Sequence, residues 1–282
     1  MRKGDKIEMR GKQNGLERCL TTLRHEIPDR IPVVPQTFMF ACETSGIKIG
    51  KANRDGLLMA KAIQTSWEKF GYDGCVIDFD DASLAEACGA TVIFREEEPA
   101  IVDESKPLLR DLREIQDIKL PDPQNNGRLP EWLEATAMLV QSIGNEAFIM
   151  GRADQGPFSL LCLLRGTENF LVEILTEPPE VVRNALNWCR EACSRFAKAQ
   201  LGAGAHATSI GDAYAGPNLV SPETYRRYAW MPEKELAEDV QNDGQPFSIH
   251  ICGDTSTIIE DMAETGAKIL EVDWKLDMGK AK

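Results

Sequence analysis

The sequence predicts an α/β fold in which helices wrap a parallel sheet, and more narrowly a (β/α)8 barrel that stops after about six strands. Three observations carry this. Short apolar runs alternate with amphipathic helical stretches along most of the 282 residues, the rhythm that builds parallel sheets. The apolar runs are continuous rather than polar at every second position, as in strands buried on both faces. Polar residues gather where the strands end, at Asp78, Asp80, Asp154, Asp212, His250, Cys252 and Asp273, the face at which barrels carry their chemistry. A doubly wound open sheet would place a site there too, but no G-x-G-x-x-G opens the first strand-to-helix turn. A closed barrel needs eight strands, and after the sixth the chain runs out in "KLDMGKAK" (275–282). Either the sheet is open or the last βα units are missing, and truncation is the reading favoured.

Residues 1–29 read as a polar tail and one short helix, "GLERCLTTLRHE", closed by Pro28; residues 30–282 form a single barrel domain, incomplete at its C-terminal end. The first strand is expected at "RIPVVPQT" (30–37). A helix over 54–71 follows, with Leu57, Leu58, Ala60, Ile63, Trp67 and Phe70 on one face and Gly71 as its stop. "DGCVIDFD" (73–80) is the next strand, and "GATVIF" with "AIVDESK" reads as a hairpin excursion. Beyond a Pro/Asn/Gly loop at 120–131, a helix over 131–144 leads to the strand 147–154. Helical material fills the interval to the strand 206–212. The next helix opens with Ser221 as N-cap and Pro222 at its first position, and Pro232 should kink or break it. The last two strands, "PFSIHICG" and "KILEVD", flank a helix closed by Gly266.

With 43% hydrophobic and 27% charged residues the composition is globular. A net charge of −13 argues against nucleic-acid or anionic-membrane binding, because the phosphate contribution needs clustered Lys and Arg. No apolar run approaches the ~20 residues that span a bilayer, and the charged N-terminus lacks the apolar core of a signal peptide. The eight cysteines are scattered, without a CxxC, which fits reduced thiols in a cytoplasm.

His250 and Cys252 stand two apart on a predicted strand, so their side chains project into the same volume. Imidazole nitrogen and thiolate sulfur are zinc ligands. The plainer alternative is a buried histidine bonded to backbone beside an inert cysteine. Catalytic zinc takes three protein ligands, and Cys75 on an earlier strand is the one substitute in view for a third. Cys189 and Cys193 share a helix face but read as small core residues. Phe38, Met39 and Phe40 could floor an apolar mouth or be plain core.

"HICGDTSTIIEDMAETGAKILEVD" (250–273) closely resembles the uroporphyrinogen decarboxylase-like superfamily, in its branch of zinc-dependent, corrinoid-linked methyltransferases. The resemblance extends to "ERCLTTLRHEIPDRIPV" (17–33), "DASLAEACGATVIF" (81–94), "GPFSLLCLLRGTENFLVEILTEPPEVV" (156–182) and "DAYAGPNLVSPETYRRYAWMPEKEL" (212–236). It implies a (β/α)8 barrel of the uroporphyrinogen decarboxylase type. It also implies a metal motif of His-x-Cys followed some tens of residues later by another Cys, which would lie beyond Lys282. The implied chemistry is zinc-dependent methyl transfer between a corrinoid (methylcobalamin) and a thiol or other small molecule. No Asp-x-His-x-x-Gly corrinoid motif occurs here, so the cobalamin would come from a partner protein. Asp212 and Asp154 lie in segments resembling the family's cavity wall. Asp273 could orient His250 or fill the open zinc position. One departure matters: "PQTFMFACETSGI" (35–47) has no arginine where true uroporphyrinogen decarboxylases hold their acidic substrate. A decarboxylase acting on a smaller substrate and a non-catalytic barrel scaffold are the competing readings.

Overall fold

The computed structural model describes residues 12–281; the expected polar tail falls, up to residue 11, outside the described residues. Among the described residues the strands are β1 (Gly74–Ile77), β2 (Val92–Ile93), β3 (Ile101–Val102), β4 (Phe148–Gln155), β5 (Ala207–Gly211), β6 (Phe247–Ile251) and β7 (Ile269–Val272). β2 and β3 form the expected antiparallel hairpin. The other five make one sheet in the order β1-β4-β5-β6-β7, parallel at every pairing. Spatial order therefore follows chain order, as in a barrel wall and unlike a doubly wound sheet, whose order reverses part-way.

Both faces of this arc are covered. Val76, Phe148, Met150 and Ala207 face one way and pack with Cys19 of the helix Gly15–Leu23. Cys75, Ile77, Ile149, Ile210 and Ile249 face the other, toward the crossover helices. β4 is buried at all eight residues, which explains its unbroken apolar reading. β7 is half-buried throughout, the mark of an edge.

The helix expected over 54–71 runs Gly56–Phe70: Asp55 accepts from the Leu58 amide at 3.0 Å, and Gly71 takes the left-handed turn that ends it, with φ 64. Leu57 and Phe70 stand outside its buried face. Helical residues continue from Pro222 through Gln241, so Pro232 does not break the helix. A π-helical turn at Tyr225–Ala229 opens the backbone just before it. That turn contains the Tyr228 carbonyl, which a prolyl nitrogen cannot serve.

The expected first strand needs correction. Residues 31–37 are extended but pair with no strand, so the sheet has five members rather than six. Pro32 and Pro35 remove two of the donors a ladder needs. The segment is tied instead by single bonds. Asp73 N–H donates to Val33 O at 2.7 Å, Val33 N–H donates to the Asp73 carboxylate at 2.7 Å, and Gln36 Nε2 donates to Glu271 on β7. The segment thus touches both ends of the arc. Phe38, Met39 and Phe40 then open a helix, Phe38–Ser45, with Met39 and Phe40 about half-exposed.

No helix among the described residues is long and apolar enough to cross a membrane. All eight cysteines are free, as expected for reduced thiols, and seven are buried. Cys252 is the exposed one.

Candidate metal and substrate site

β6 is buried except at His250. Period-two geometry brings His250 and Cys252 to one side, and they meet. Cys252 Sγ lies 3.0 Å from His250 Nε2, while His250 Nδ1 lies 3.2 Å from the Glu271 carbonyl oxygen. A carbonyl can only accept, so the ring proton belongs on Nδ1 and the lone pair on Nε2 faces the thiol. Gly253 turns the chain sharply after the pair, with φ +91, and a Cβ there would come within 1.9 Å of the Asn218 side chain. Only glycine fits this turn. Asp273 accepts from the Gly253 amide at 2.8 Å and the Lys275 amide at 3.2 Å. These bonds hold its carboxyl below the ordinary range.

The pair opens on a cavity of about 170 Å³ whose walls include Phe38, Asp78, Asp81, Arg152, Gln155 and Tyr214. Arg152 extends from β4 across Gly211, where a Cβ would meet its Nη2 at 2.2 Å. Gly211 in turn pairs with His250. Burial, then the Arg152 charge, lowers the His250 pKa. Burial raises that of Cys252 while Arg152 opposes the rise. The guanidinium thus favours neutral imidazole and thiolate, the forms that bind metals.

The carboxylates at the strand ends divide. Asp78 faces the cavity, with Oδ2 3.5 Å from Arg152 Nε, and burial raises its pKa well above the ordinary range. Asp80 is clamped by Arg128 at 2.6 and 3.1 Å. Asp212, at 0% exposure, turns away from the cavity. It caps the helix Pro157–Arg165, accepting from Ser159 Oγ at 2.6 Å and from the Ser159 and Phe158 amides at 2.7 and 3.3 Å. Burial pushes its pKa up to about 6, and burial together with the Asp212 charge raises that of Glu233 well above the ordinary carboxylate range. Asp154 caps the helix Ser83–Ala87 through the Leu84 amide at 2.5 Å and Ser83 Oγ at 2.9 Å. Of the three expected catalytic aspartates, Asp273 alone turns its carboxylate to the segment carrying His250 and Cys252; Asp212 reaches that segment through its backbone amide, which donates to the His250 carbonyl oxygen at 2.8 Å. Cys75 is buried in the core beside Tyr72 and does not line the cavity, so it does not complete a metal site with His250 and Cys252.

Asp154 carries a measurable consequence. Burial raises its pKa from 3.8 to about 7, so the folded chain holds this proton more tightly than the unfolded chain. Its contribution to stability is largest below the unfolded value and is lost as pH rises through the folded one. Asp154→Asn should remove a loss on the order of a few kcal/mol between about pH 4 and about pH 7. Urea titrations of both proteins across that range measure it; parallel pH profiles would refute it.

Arg152, Asp81, Gln155 and Tyr214 were not singled out from the sequence. The legible signal was an arginine inside "AFIMGRAD", an otherwise apolar strand, since arginine is almost never fully buried without a partner.

Comparison with known proteins bears on this architecture. Residues 14–282 match the family model described as uroporphyrinogen decarboxylase (URO-D). This chain belongs to the uroporphyrinogen decarboxylase family. Over 270 residues it is 28% identical to the methylcobamide:CoM methyltransferase MtbA of Methanosarcina mazei, covering 94% of this chain and 78% of that protein. It is 26% identical to the methylcobamide:CoM methyltransferase MtaA of Methanosarcina barkeri, covering 92% and 75%. Similarity to the uroporphyrinogen decarboxylase of Carboxydothermus hydrogenoformans is 24% over 218 residues, covering 76% and 60%. A solved structure, a methyltransferase from Methanosarcina mazei, superimposes with a TM-score of 0.86 at 26% identity, over 95% of this chain and 78% of that one. The expected resemblance to the methyltransferase branch of the family is borne out, and with it the expectation of an enzyme.

Proposed function

We propose that this family member transfers a methyl group between a corrinoid on a partner protein and a small-molecule thiol, using zinc held by His250 and Cys252. The observation that carries the reading is the 3.0 Å approach of Cys252 Sγ to the His250 Nε2 lone pair at the mouth of a cavity. The two Methanosarcina relatives support it, since their names pair a methylcobamide with CoM.

The donor set fits zinc at two positions. Ligands of a tetrahedral zinc at ~2.0 and ~2.3 Å stand roughly 3.6 Å apart, so the sulfur must swing outward by about half an ångström, and its exposed position leaves room. No three His, Cys, Asp or Glu side chains converge among the described residues. The reading therefore assigns zinc two donors of this chain, His250 and Cys252.

Zinc at this place supplies a substrate thiolate near neutral pH, where a free thiol of pKa about 8.5 stays mostly protonated. His250 keeps its Nδ1 proton on the Glu271 carbonyl and so offers Nε2 alone. Asp273 fixes the peptide after Cys252. The partner's corrinoid would supply the methyl group and keep the electron pair of the bond that held it, so that the thiol would leave as a thioether and its proton would pass to solvent. The cytoplasmic setting expected from the free cysteines suits such a reduced product.

Incubating the full chain with zinc, methylcobalamin and a panel of thiols should consume the methylcobalamin absorbance and yield a thioether in equal amount. No thioether from any thiol would sink the reading. Asp273→Ala should weaken zinc retention by roughly 10-fold, at the low end of what outer-shell partners contribute, without lowering the melting temperature. Unchanged zinc affinity in competition with a chromophoric chelator would count against that role.

A further inference from the structure

β4 carries one residue more than its neighbour can match. From Arg152 to Gln155 it takes three steps while β5 takes two, from Ser209 to Gly211. That is a β-bulge, a device rare between parallel strands that re-aims side chains beside active sites. Its mark is two consecutive side chains that leave the cavity. Ala153 packs on the helix side with Ile149. Asp154, which strict alternation would turn into the cavity beside Gly211, bends aside to Ser83 and Leu84. Gln155, which alternation would send toward the helices, lines the cavity with Arg152 instead and stands in one row with Gly211 and His250. There its amide donates to Asp81 at 2.7 Å.

The left-handed φ of 62 at Asp154 makes this turn, a conformation that is costly for a residue with a side chain. The surroundings hold it. Asp154 Oδ2 takes both donors at the start of the helix Ser83–Ala87. From the helix Pro179–Gly202, Gln200 Nε2 donates to the Arg152 carbonyl at 2.7 Å and Cys193 Sγ donates to the Gln155 carbonyl at 3.2 Å. The carbonyls at the two ends of the bulge thus have side-chain partners, and both partners are fully buried.

We propose that Asp154 is a positioning residue of the cavity: its left-handed backbone sets the bulge that puts the Gln155 amide, in place of the Asp154 carboxylate, in the row facing His250, where it holds Asp81 to the cavity wall. Asp154 itself touches no reacting group. The wall already carries Asp78 and Asp81 against one arginine. A third carboxylate among them would repel both, whereas an amide donates to one. For its effect on thiol methylation the proposal rests on the methyl-transfer reading; the placement of Gln155 does not.

Two substitutions separate the backbone from the cap. Asp154→Gly and Asp154→Ala both remove the bonds to Ser83 and Leu84, but glycine adopts the left-handed backbone freely and alanine does not. In proton–nitrogen NMR of the full chain, the Gln155 side-chain amide should be protected from solvent exchange in the wild type. It should stay protected in Asp154→Gly and lose protection in Asp154→Ala. Asp154→Asn, which tolerates this backbone and keeps an acceptor, should match the wild type. In methylation of 2-mercaptoethanol, Asp154→Ala should raise KM by about 10-fold, the upper end of what one hydrogen bond contributes, with kcat and zinc content held; a merely loosened fold would lower the active fraction instead. In a Gln155→Ala background the same substitution should add nothing to KM. Equal loss of protection in the glycine and alanine variants would overturn the proposal, because the cap and not the backbone would then place Gln155. So would a further rise in KM in the Gln155→Ala background. A Gln155 amide that exchanges freely in the wild type overturns it even if Asp154→Ala fails to fold. If the amide behaves as expected but no thiol is methylated, the positioning stands and the methyl-transfer reading falls.

Discussion

Cys252→Ser should lower the zinc retained by the full chain by at least about 100-fold, since even outer-shell partners contribute 10–100-fold, and thiol methylation should fall with it. The melting temperature should stay near that of the parent. Cys252 is exposed, and its one side-chain hydrogen bond among the described residues is to His250, so removing the sulfur opens no void in the core. Serine keeps the size but presents a hydroxyl that does not ionise at neutral pH. His250→Ala should lose the metal equally, with some cost in packing because the ring is half-buried. The buried cysteines offer the contrast: Cys189 and Cys193 lie fully buried, where desolvation drives their thiols far above the ordinary range. Changing either to Ala should leave zinc content unchanged. Elemental analysis after dialysis against a weak chelator measures all four. Parent-level zinc in Cys252→Ser would mean that the pair is an ordinary strand contact.

The sequence made the sheet legible because its strands are buried on both faces, so apolar runs marked β1, β4, β5 and β6 without ambiguity. It made the His250–Cys252 pair legible because side-chain direction along a strand has a fixed period. The same rule misled at the strand ends. Asp78, Asp154 and Asp212 all end strands, but Asp154 and Asp212 turn sideways to cap the N-termini of the helices that follow the neighbouring strands β1 and β4. Whether a strand-end carboxylate faces the void or the helix of a neighbouring strand depends on one backbone rotation. At Asp154 that rotation is a left-handed φ of 62, rare for a residue with a side chain. Arg152 escaped notice for a related reason. A charge within an apolar run reads as a breach of pattern until the partner strand is known to carry glycine two residues beyond the facing Ser209.

Asp73→Ala should cost about 1–3 kcal/mol, that of the buried donors it leaves unmade, since Arg18 keeps its ion pair with Asp29, and it should do so by releasing the segment that was expected to be a strand. Asp73 and Arg18 are 2% and 3% exposed and paired with each other. Arg30 adds contacts of 2.6 and 2.8 Å to the same carboxylate, which also accepts the Val33 amide. With Pro32 and Pro35 withholding ladder donors, this one carboxylate does what a row of strand hydrogen bonds does elsewhere. Removing it leaves two arginines facing each other and frees the Val33 amide. Asp73→Asn, which keeps an acceptor for Val33 but drops the charge, should cost less than the alanine variant. Urea denaturation gives the two penalties, and hydrogen exchange at Val33 and Gln36 localises them. Because the chain runs from Val33 through Gln36 to Phe38 on the cavity wall, the alanine variant should also methylate thiols more slowly. Global destabilisation with slow exchange retained at Val33 would show that the apolar packing of Val34 against the sheet, and not Asp73, holds this segment in place.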